Sequence, residues 1–118
     1  MGFNVTDLGK YKVISVLGNL QAGEKTKRII DVVSDLDRQG HHHFVFNLSG
    51  LEYLDSSGIS IFIHCLCDVQ EHNGSVFLVV EDKKVQEVIE LVGLNRLIKL
   101  YPTMEVFAQH HVDPPATA

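Results

Sequence analysis

The chain has 118 residues, a formal net charge of −5, 45% hydrophobic residues and three prolines. This length and apolar content predict one globular domain with a substantial core rather than a disordered chain. The negative charge argues against direct binding to nucleic acid or to an anionic membrane, and the longest apolar runs are far too short to span a bilayer. Residues 1–7 lack the features of a signal peptide, so we expect a cytoplasmic protein.

Strand and helix patterns alternate from the amino terminus onward. Residues 11–17 alternate as a strand does, and residues 3–5 predict a shorter strand paired with it. Residues 24–39 carry apolar side chains at helical spacing, and Gly40 offers a left-handed stop. Residues 43–48 are apolar almost throughout, which is typical of a strand covered on both faces.

A second helical pattern begins at Ile59 and ends near Gly74, with an inward stripe formed by Ile59, Phe62, Ile63, Leu66 and Val69. Residues 75–80 predict a further buried strand. A third helix follows over residues 85–92, then a short strand at 97–101 and a last helix after Thr103.

These elements predict an α/β fold. Strands that alternate with helices imply right-handed crossovers and therefore a mostly parallel sheet. We expect one domain over residues 1–112, built on an open sheet of four to five strands packed with about four helices. The helices should gather against one main face, the sheet should start antiparallel, and residues 113–118 should form a flexible tail.

The run Leu54-Asp55-Ser56-Ser57-Gly58 lies between the strand at residues 44–48 and the helix predicted from Ile59. A helix start has unpaired backbone N–H groups and partial positive charge, which Asp and Ser often cap. Two adjacent serine hydroxyls there would also suit phosphate attachment. Residues 55–58, here called the switch loop, are therefore either ordinary caps or a phosphorylation switch.

Together with the strand at residues 76–80 and Glu-Leu-Val-Gly-Leu at residues 90–94, this motif resembles the STAS-domain family of anti-sigma-factor antagonists, over about residues 11–108. The resemblance implies that the unphosphorylated protein binds an anti-sigma factor that is also a serine kinase, and so releases a sigma factor. The kinase would phosphorylate the second serine, here Ser57, and a metal-dependent serine/threonine phosphatase would reset the switch. The family often has an acidic residue where this chain has Gln21, and Glu24 stands at a different spacing.

The predicted partner-binding site comprises the switch loop, Asp55, Ser56, Ser57 and Gly58, together with Ile61. Asp55 should fix the loop by accepting backbone N–H bonds, and Gly58 should allow a neighbouring backbone to approach closely. Ile61 is expected on the outward face of the helix, either by chance or as an apolar anchor for a partner.

Two other clusters suggest metal sites but are not expected to be such. In an extended His41-His42-His43, alternate side chains point to opposite faces, so at most two could share an ion, and no further ligands are apparent in the sequence. Cys65 and Cys67 lie about 200° apart around a helix and cannot chelate together; Cys67 is expected near the core edge and Cys65 nearer the surface. They form no disulfide framework.

Enzyme motifs are also absent from the sequence. There is no phosphate-binding loop, no Gly-x-Ser-x-Gly motif and no histidine assigned to the same sheet end as Asp55. We therefore expect a regulatory binding protein with no cofactor. The alternatives are a STAS scaffold or transporter accessory subunit that is never phosphorylated, and a small enzyme with its site at the same helix end.

Overall fold

The computed structural model describes residues 2–112, and the tail predicted at 113–118 lies outside this range. Its elements in chain order are β1 (Phe3–Leu8), β2 (Tyr11–Val16), β3 (Gly18–Leu20), α1 (Glu24–Arg38), β4 (His43–Asn47), β5 (Leu51–Leu54), α2 (Ser56–Gln70), β6 (Ser75–Val79), α3 (Lys83–Leu91), a short 3₁₀ helix (Leu94–Arg96), β7 (Leu100–Tyr101) and α4 (Met104–His111). None of the helices described is long and apolar enough to cross a membrane.

The main sheet has five strands in the order β1-β2-β4-β6-β7. β1 runs antiparallel to β2, and the other neighbouring pairs are parallel. The predicted α/β fold, with a mostly parallel sheet and an antiparallel start, is confirmed. β4 lies at the centre, and its two faces are buried in separate cores, which is why its sequence is apolar on both faces.

The two faces of this sheet carry separate cores. One face buries Ile14, Phe46 and Leu78 against α1, α2 and α3. The other face is covered by α4, whose fully buried Phe107 packs among Tyr11, Val13, Val45, Val79 and Tyr101. The expectation that the helices gather on one face therefore holds for three helices, while α4 alone covers the reverse side.

A small parallel sheet formed by β3 and β5 was not predicted. β3 is only three residues long, and β5 buries its two end leucines while exposing Glu52 and Tyr53. Neither segment shows the alternation by which a strand is recognised in a sequence. This small sheet leads directly into the switch loop.

α2 begins at Ser56, three residues before the predicted start at Ile59. Its first turn is polar apart from Gly58, so the apolar periodicity does not reveal it. The orientation of the helix was also predicted wrongly. Ile61 and Cys65 are buried, whereas Ile63 and Cys67 are exposed.

The physical reason is that α2 packs against α1 as well as against the sheet. It therefore buries two adjacent ridges of side chains, one with Gly58, Ile61 and Cys65 and the other with Ile59, Phe62 and Val69. The predicted stripe faces a single neighbour, so it includes Ile63 and leaves out Ile61.

Candidate functional site

Asp55 forms the junction between β5 and α2. Its backbone is extended, and its Oδ1 accepts a hydrogen bond from the Gly58 N–H at 3.0 Å. Its carbonyl accepts the Ile59 N–H at 2.9 Å, which is the first bond of the helix. The predicted role of Asp55 in accepting backbone N–H bonds is confirmed, and this residue, rather than either serine, is the N-cap.

Gly58 lies directly against β3. A Cβ atom at this position would stand 2.2 Å from the Leu20 carbonyl oxygen, a separation that real Cβ contacts do not reach. The predicted close approach of a neighbouring backbone is confirmed. The Asp55 N–H also points to the Leu20 carbonyl, at 3.4 Å, so the small sheet holds the loop from one side.

Ser56 and Ser57 occupy the first turn of α2 and are both exposed. Neither hydroxyl hydrogen-bonds to any other group within residues 2–112, while the Ser57 carbonyl accepts a bond from Ser60 Oγ at 2.7 Å. Their backbone N–H groups precede the first intrahelical donor, so they have no partner inside the helix. An accessible hydroxyl therefore lies beside free donors and the positive end of the helix dipole.

Ile61 does not belong to this surface. Its exposed fraction is 2%, and it is part of the main core, so it cannot act as an anchor for a partner. An exposed apolar side chain near the loop is instead that of Tyr53, which is 47% exposed on β5. Tyr53 stands two positions before Asp55 in the sequence, but its short segment has no periodicity that would indicate an exposed aromatic side chain.

The position after β3 bears on recognition at the loop. The register pairs Leu20 with Leu54, so Gln21 and Asp55 leave neighbouring parallel strands side by side. Gln21 is exposed and brings no charge to this edge. Glu24 opens α1, and its carboxylate lies 3.6 Å from Arg28 Nε.

The other predicted clusters lie away from the loop. Burial, reinforced by the nearby Asp68, raises the pKa of Cys65 to about 12, which makes this thiol unreactive. In the histidine run, His43 Nδ1 is hydrogen-bonded to Ser75 Oγ at 2.8 Å. His42 meets Asp37 and His72, two residues that the sequence did not place near it.

Comparison with known proteins gives a consistent result. A family model described as STAS domain matches residues 9–106. A Thermotoga maritima protein described as a candidate anti-sigma factor antagonist is 27% identical over 73 residues, which cover 62% of this chain and 65%, just under two thirds, of that protein. An anti-sigma-B factor antagonist of Staphylococcus aureus is 20% identical over 106 residues, covering 90% of this chain and 97% of that protein.

Among solved structures, the chain is similar to the anti-sigma factor antagonist SpoIIAA of Bacillus in two forms. For the unphosphorylated form the TM-score is 0.77 at 20% identity, covering 92% of this chain and 95% of that one. For the phosphorylated form the TM-score is 0.71 at 19% identity, covering 92% and 98%. At these identities the similarity establishes the fold.

Proposed function

The chain belongs to the STAS domain family, and from that membership we propose that it is a cytoplasmic anti-sigma factor antagonist whose binding is gated by phosphorylation of Ser57. The observation that carries the proposal is the exposed Ser57 hydroxyl in the first turn of α2. Asp55 and Gly58 hold the backbone of this turn in place, so a kinase would meet a preformed surface.

Phosphorylation should leave the fold of this chain intact. A phosphate adds about −1.5 to −2 charges at neutral pH. On Ser57 it would lie near unpaired N–H groups and the positive helix end, which stabilise an anion by about 0.3–1 kcal/mol at an exposed site. Asp55 adds repulsion, but it is partly exposed and its Oδ1 is already engaged by the Gly58 N–H. This chain is similar in fold to both the unphosphorylated and the phosphorylated form of SpoIIAA.

The same charge would act differently in a complex. Residues around Ser57 would have to lose their water on binding, and a phosphate carries a much larger desolvation cost than a hydroxyl. Acidic groups on the partner would add repulsion. A loss of about 4 kcal/mol corresponds to about a thousandfold weaker binding, which is enough to exchange one partner for another.

We expect the partner to be an anti-sigma factor with serine kinase activity, and a serine/threonine phosphatase to restore the hydroxyl. Tyr53 supplies exposed apolar area two residues before Asp55, the kind of side chain that anchors protein interfaces. In this mechanism the chain itself catalyses nothing. It presents a hydroxyl to the enzymes that act on it.

The first prediction concerns the acceptor residue. Incubation with ATP and the serine-kinase anti-sigma factors of the same organism should add one phosphoryl group to the wild type and to Ser56→Ala, but none to Ser57→Ala. Ser57→Ala should still bind the kinase, whereas Ser57→Asp should bind it at least tenfold more weakly because the carboxylate mimics part of the phosphate charge. Intact mass spectrometry and calorimetric titration measure the two effects.

Gln109→Glu is a matched control, because it adds one negative charge at an exposed position on α4, on the reverse face of the sheet. It should bind the kinase as the wild type does. Equal binding by Ser57→Asp and Ser57→Ala would contradict gating and favour a scaffold or transporter accessory subunit. Turnover of a substrate that depends on Asp55 or Ser57 would favour the enzyme alternative.

A further inference from the structure

Three side chains of the types that commonly bind metal ions meet at the end of the fold opposite the switch loop. Asp37 lies at the carboxyl end of α1, His42 directly before β4, and His72 in the turn after α2. One ligand atom from each lies within 4.8 Å of the others. α2 is 15 residues long, so this cluster and Ser57 are separated by about 20 Å along the helix.

Asp37 is the centre of the cluster. Its side chain is only 8% exposed, its Oδ1 lies 2.5 Å from His42 Nδ1, and its Oδ2 lies 3.0 Å from His72 Nδ1. Throughout residues 2–112, no lysine or arginine forms an ion pair with this carboxylate. A buried carboxylate needs compensating partners, and here histidine rings from two other segments provide them.

We propose that Asp37, His42 and His72 form a binding site for a divalent transition-metal ion of the Zn²⁺ class. Two imidazole nitrogens and one carboxylate oxygen are a donor set that Zn²⁺ uses in proteins, with solvent in the remaining position. Softer ions would favour thiolates, and Mg²⁺ or Ca²⁺ would favour a site made of oxygen atoms alone.

The proton balance of binding is simple. A carboxylate only accepts hydrogen bonds, so each Nδ1 facing Asp37 carries its proton in the ion-free protein. To bind the ion, a neutral imidazole moves that proton to Nε2 through solvent, and an imidazolium releases one proton to solvent. Both rings then direct the Nδ1 lone pair at the ion, and the Asp37 oxygen takes the third position.

Only small side-chain movements are required. The two rings are stacked, with centroids 4.7 Å apart, and must rotate apart so that the three donor atoms surround one ion. His72 is exposed and lies in a turn, so its ring is free to make this adjustment. The backbone beneath is tied down, since the Ser75 N–H donates to the His42 carbonyl at 3.0 Å.

A bound ion would link three segments that are distant in sequence. An ion held by these residues joins the end of α1, the entry to β4 and the turn after α2. Because a preformed site exists only in the folded chain, the ion stabilises the fold by mass action. It acts far from Ser57 and should leave phosphorylation unchanged.

The test uses the untagged protein, titrated with ZnCl₂ in a calorimeter and followed by thermal unfolding. The wild type should bind one Zn²⁺ per chain, with a dissociation constant in the micromolar range or below and a rise in Tm of several degrees. His72→Ala should weaken binding at least tenfold and lose the rise in Tm. Because His72 is exposed, this variant should fold as the wild type does, and its Tm without metal checks that it does so.

Two matched controls separate the site from its surroundings. His41→Ala removes a histidine of the same run, and His64→Ala removes an exposed α2 histidine whose Nε2 lies 3.5 Å from Asp68. Both should bind Zn²⁺ as the wild type does. Long-range ¹H–¹⁵N spectra should show that the Nδ1 signals of His42 and His72, and of no other histidine, shift with Zn²⁺.

Three results would overturn the proposal: wild-type affinity in His72→Ala, an equal loss of binding in His41→Ala, or no binding by the wild type at micromolar Zn²⁺. The Ser57 phosphorylation assay is independent of all three. The outcome for the metal site and the outcome for the proposed function can therefore be told apart.

Discussion

At the scale of single residues, the conformation of the switch loop depends on Asp55 and Gly58. Asp55 accepts the Gly58 N–H and so fixes the first turn of α2, while Gly58 lets that turn approach the Leu20 carbonyl. Ser56 and Ser57 make no such contacts and face solvent. Two exposed serine hydroxyls are thus held on a tightly packed backbone. A group attached to such a hydroxyl would not need to disturb the fold.

The second prediction tests this close approach. Gly→Ala inside a helix usually stabilises a protein by about 0.5–1 kcal/mol. At position 58 the new methyl group would overlap the Leu20 carbonyl, so Gly58→Ala should instead lower the free energy of unfolding by about 2–3 kcal/mol. Urea unfolding measures the change. Gln70→Ala, at an exposed position of the same helix, should be nearly neutral, and a Gly58→Ala protein as stable as wild type would contradict the geometry.

At the scale of elements, α2 connects the switch loop at one end of the fold to the turn with His72 at the other end. Its two buried ridges face α1 and the sheet, its amino end carries the switch loop, and its carboxyl end leads to the turn that holds His72. The helix is therefore fixed along its whole length by packing. A partner that bound at the loop, as proposed, would meet a helix end that is held in place by packing.

The third prediction compares Ile61 and Ile63 of α2. The sequence pattern places Ile63 inward and Ile61 outward, whereas in the structure Ile61 is buried and Ile63 is exposed. Ile61→Ala should lower the free energy of unfolding by about 2–4 kcal/mol, because Ile61 is 2% exposed in the main core. Ile63→Ala, at a position that is 39% exposed, should cost less than about 1 kcal/mol. The two variants are matched in chemistry, and urea unfolding measures both. The reverse order would restore the outward placement of Ile61.

At the scale of the whole molecule, α4 closes the reverse face of the sheet. His111 stacks on Phe107 with ring centroids 4.7 Å apart and hydrogen-bonds to the hydroxyl of Tyr101. Burial lowers the pKa of His111, and Lys99, His110 and Lys10 add to the effect. Burial likewise lowers the pKa of His43, with Lys10 and His42 as further causes. The folded protein therefore favours the neutral form of both rings.

The fourth prediction follows from the sign of these shifts. As the pH falls below the ordinary histidine value of about 6.5, the unfolded chain takes up protons at positions 43 and 111 before the folded chain does, so this contribution to stability is lost. His111→Phe keeps the stacked ring without the titration. Between pH 7 and pH 5.5 it should lose less stability than wild type in chemical denaturation. Gln109→Ala, at an exposed position of the same helix that carries no titrating group, should follow the wild type, and equal slopes for wild type and His111→Phe would contradict the prediction.

Much of this protein follows from the sequence alone. The alternation of β2, the continuous apolar runs of β4 and β6 and the helical spacing of apolar residues are local features of the sequence. So are the glycine with positive φ after α1 and Asp55 at a helix start, since each depends on residues near each other in the chain. The same local signals carry the resemblance to the STAS family. They were sufficient for the fold class and for placing residues 55–58 at the start of a helix.

Tertiary structure decided what depends on residues far apart in sequence. β3 and β5 are too short to show a period, and they exist because each supplies the other with hydrogen-bond partners. Ile61 and Cys65 are buried because α2 has a second neighbour in α1. Asp37 and His72, which are 35 residues apart, meet at His42 because the crossovers bring the ends of α1 and α2 to the same end of the sheet. Periodicity reports which residues face a neighbour, but only the assembled fold determines how many neighbours there are.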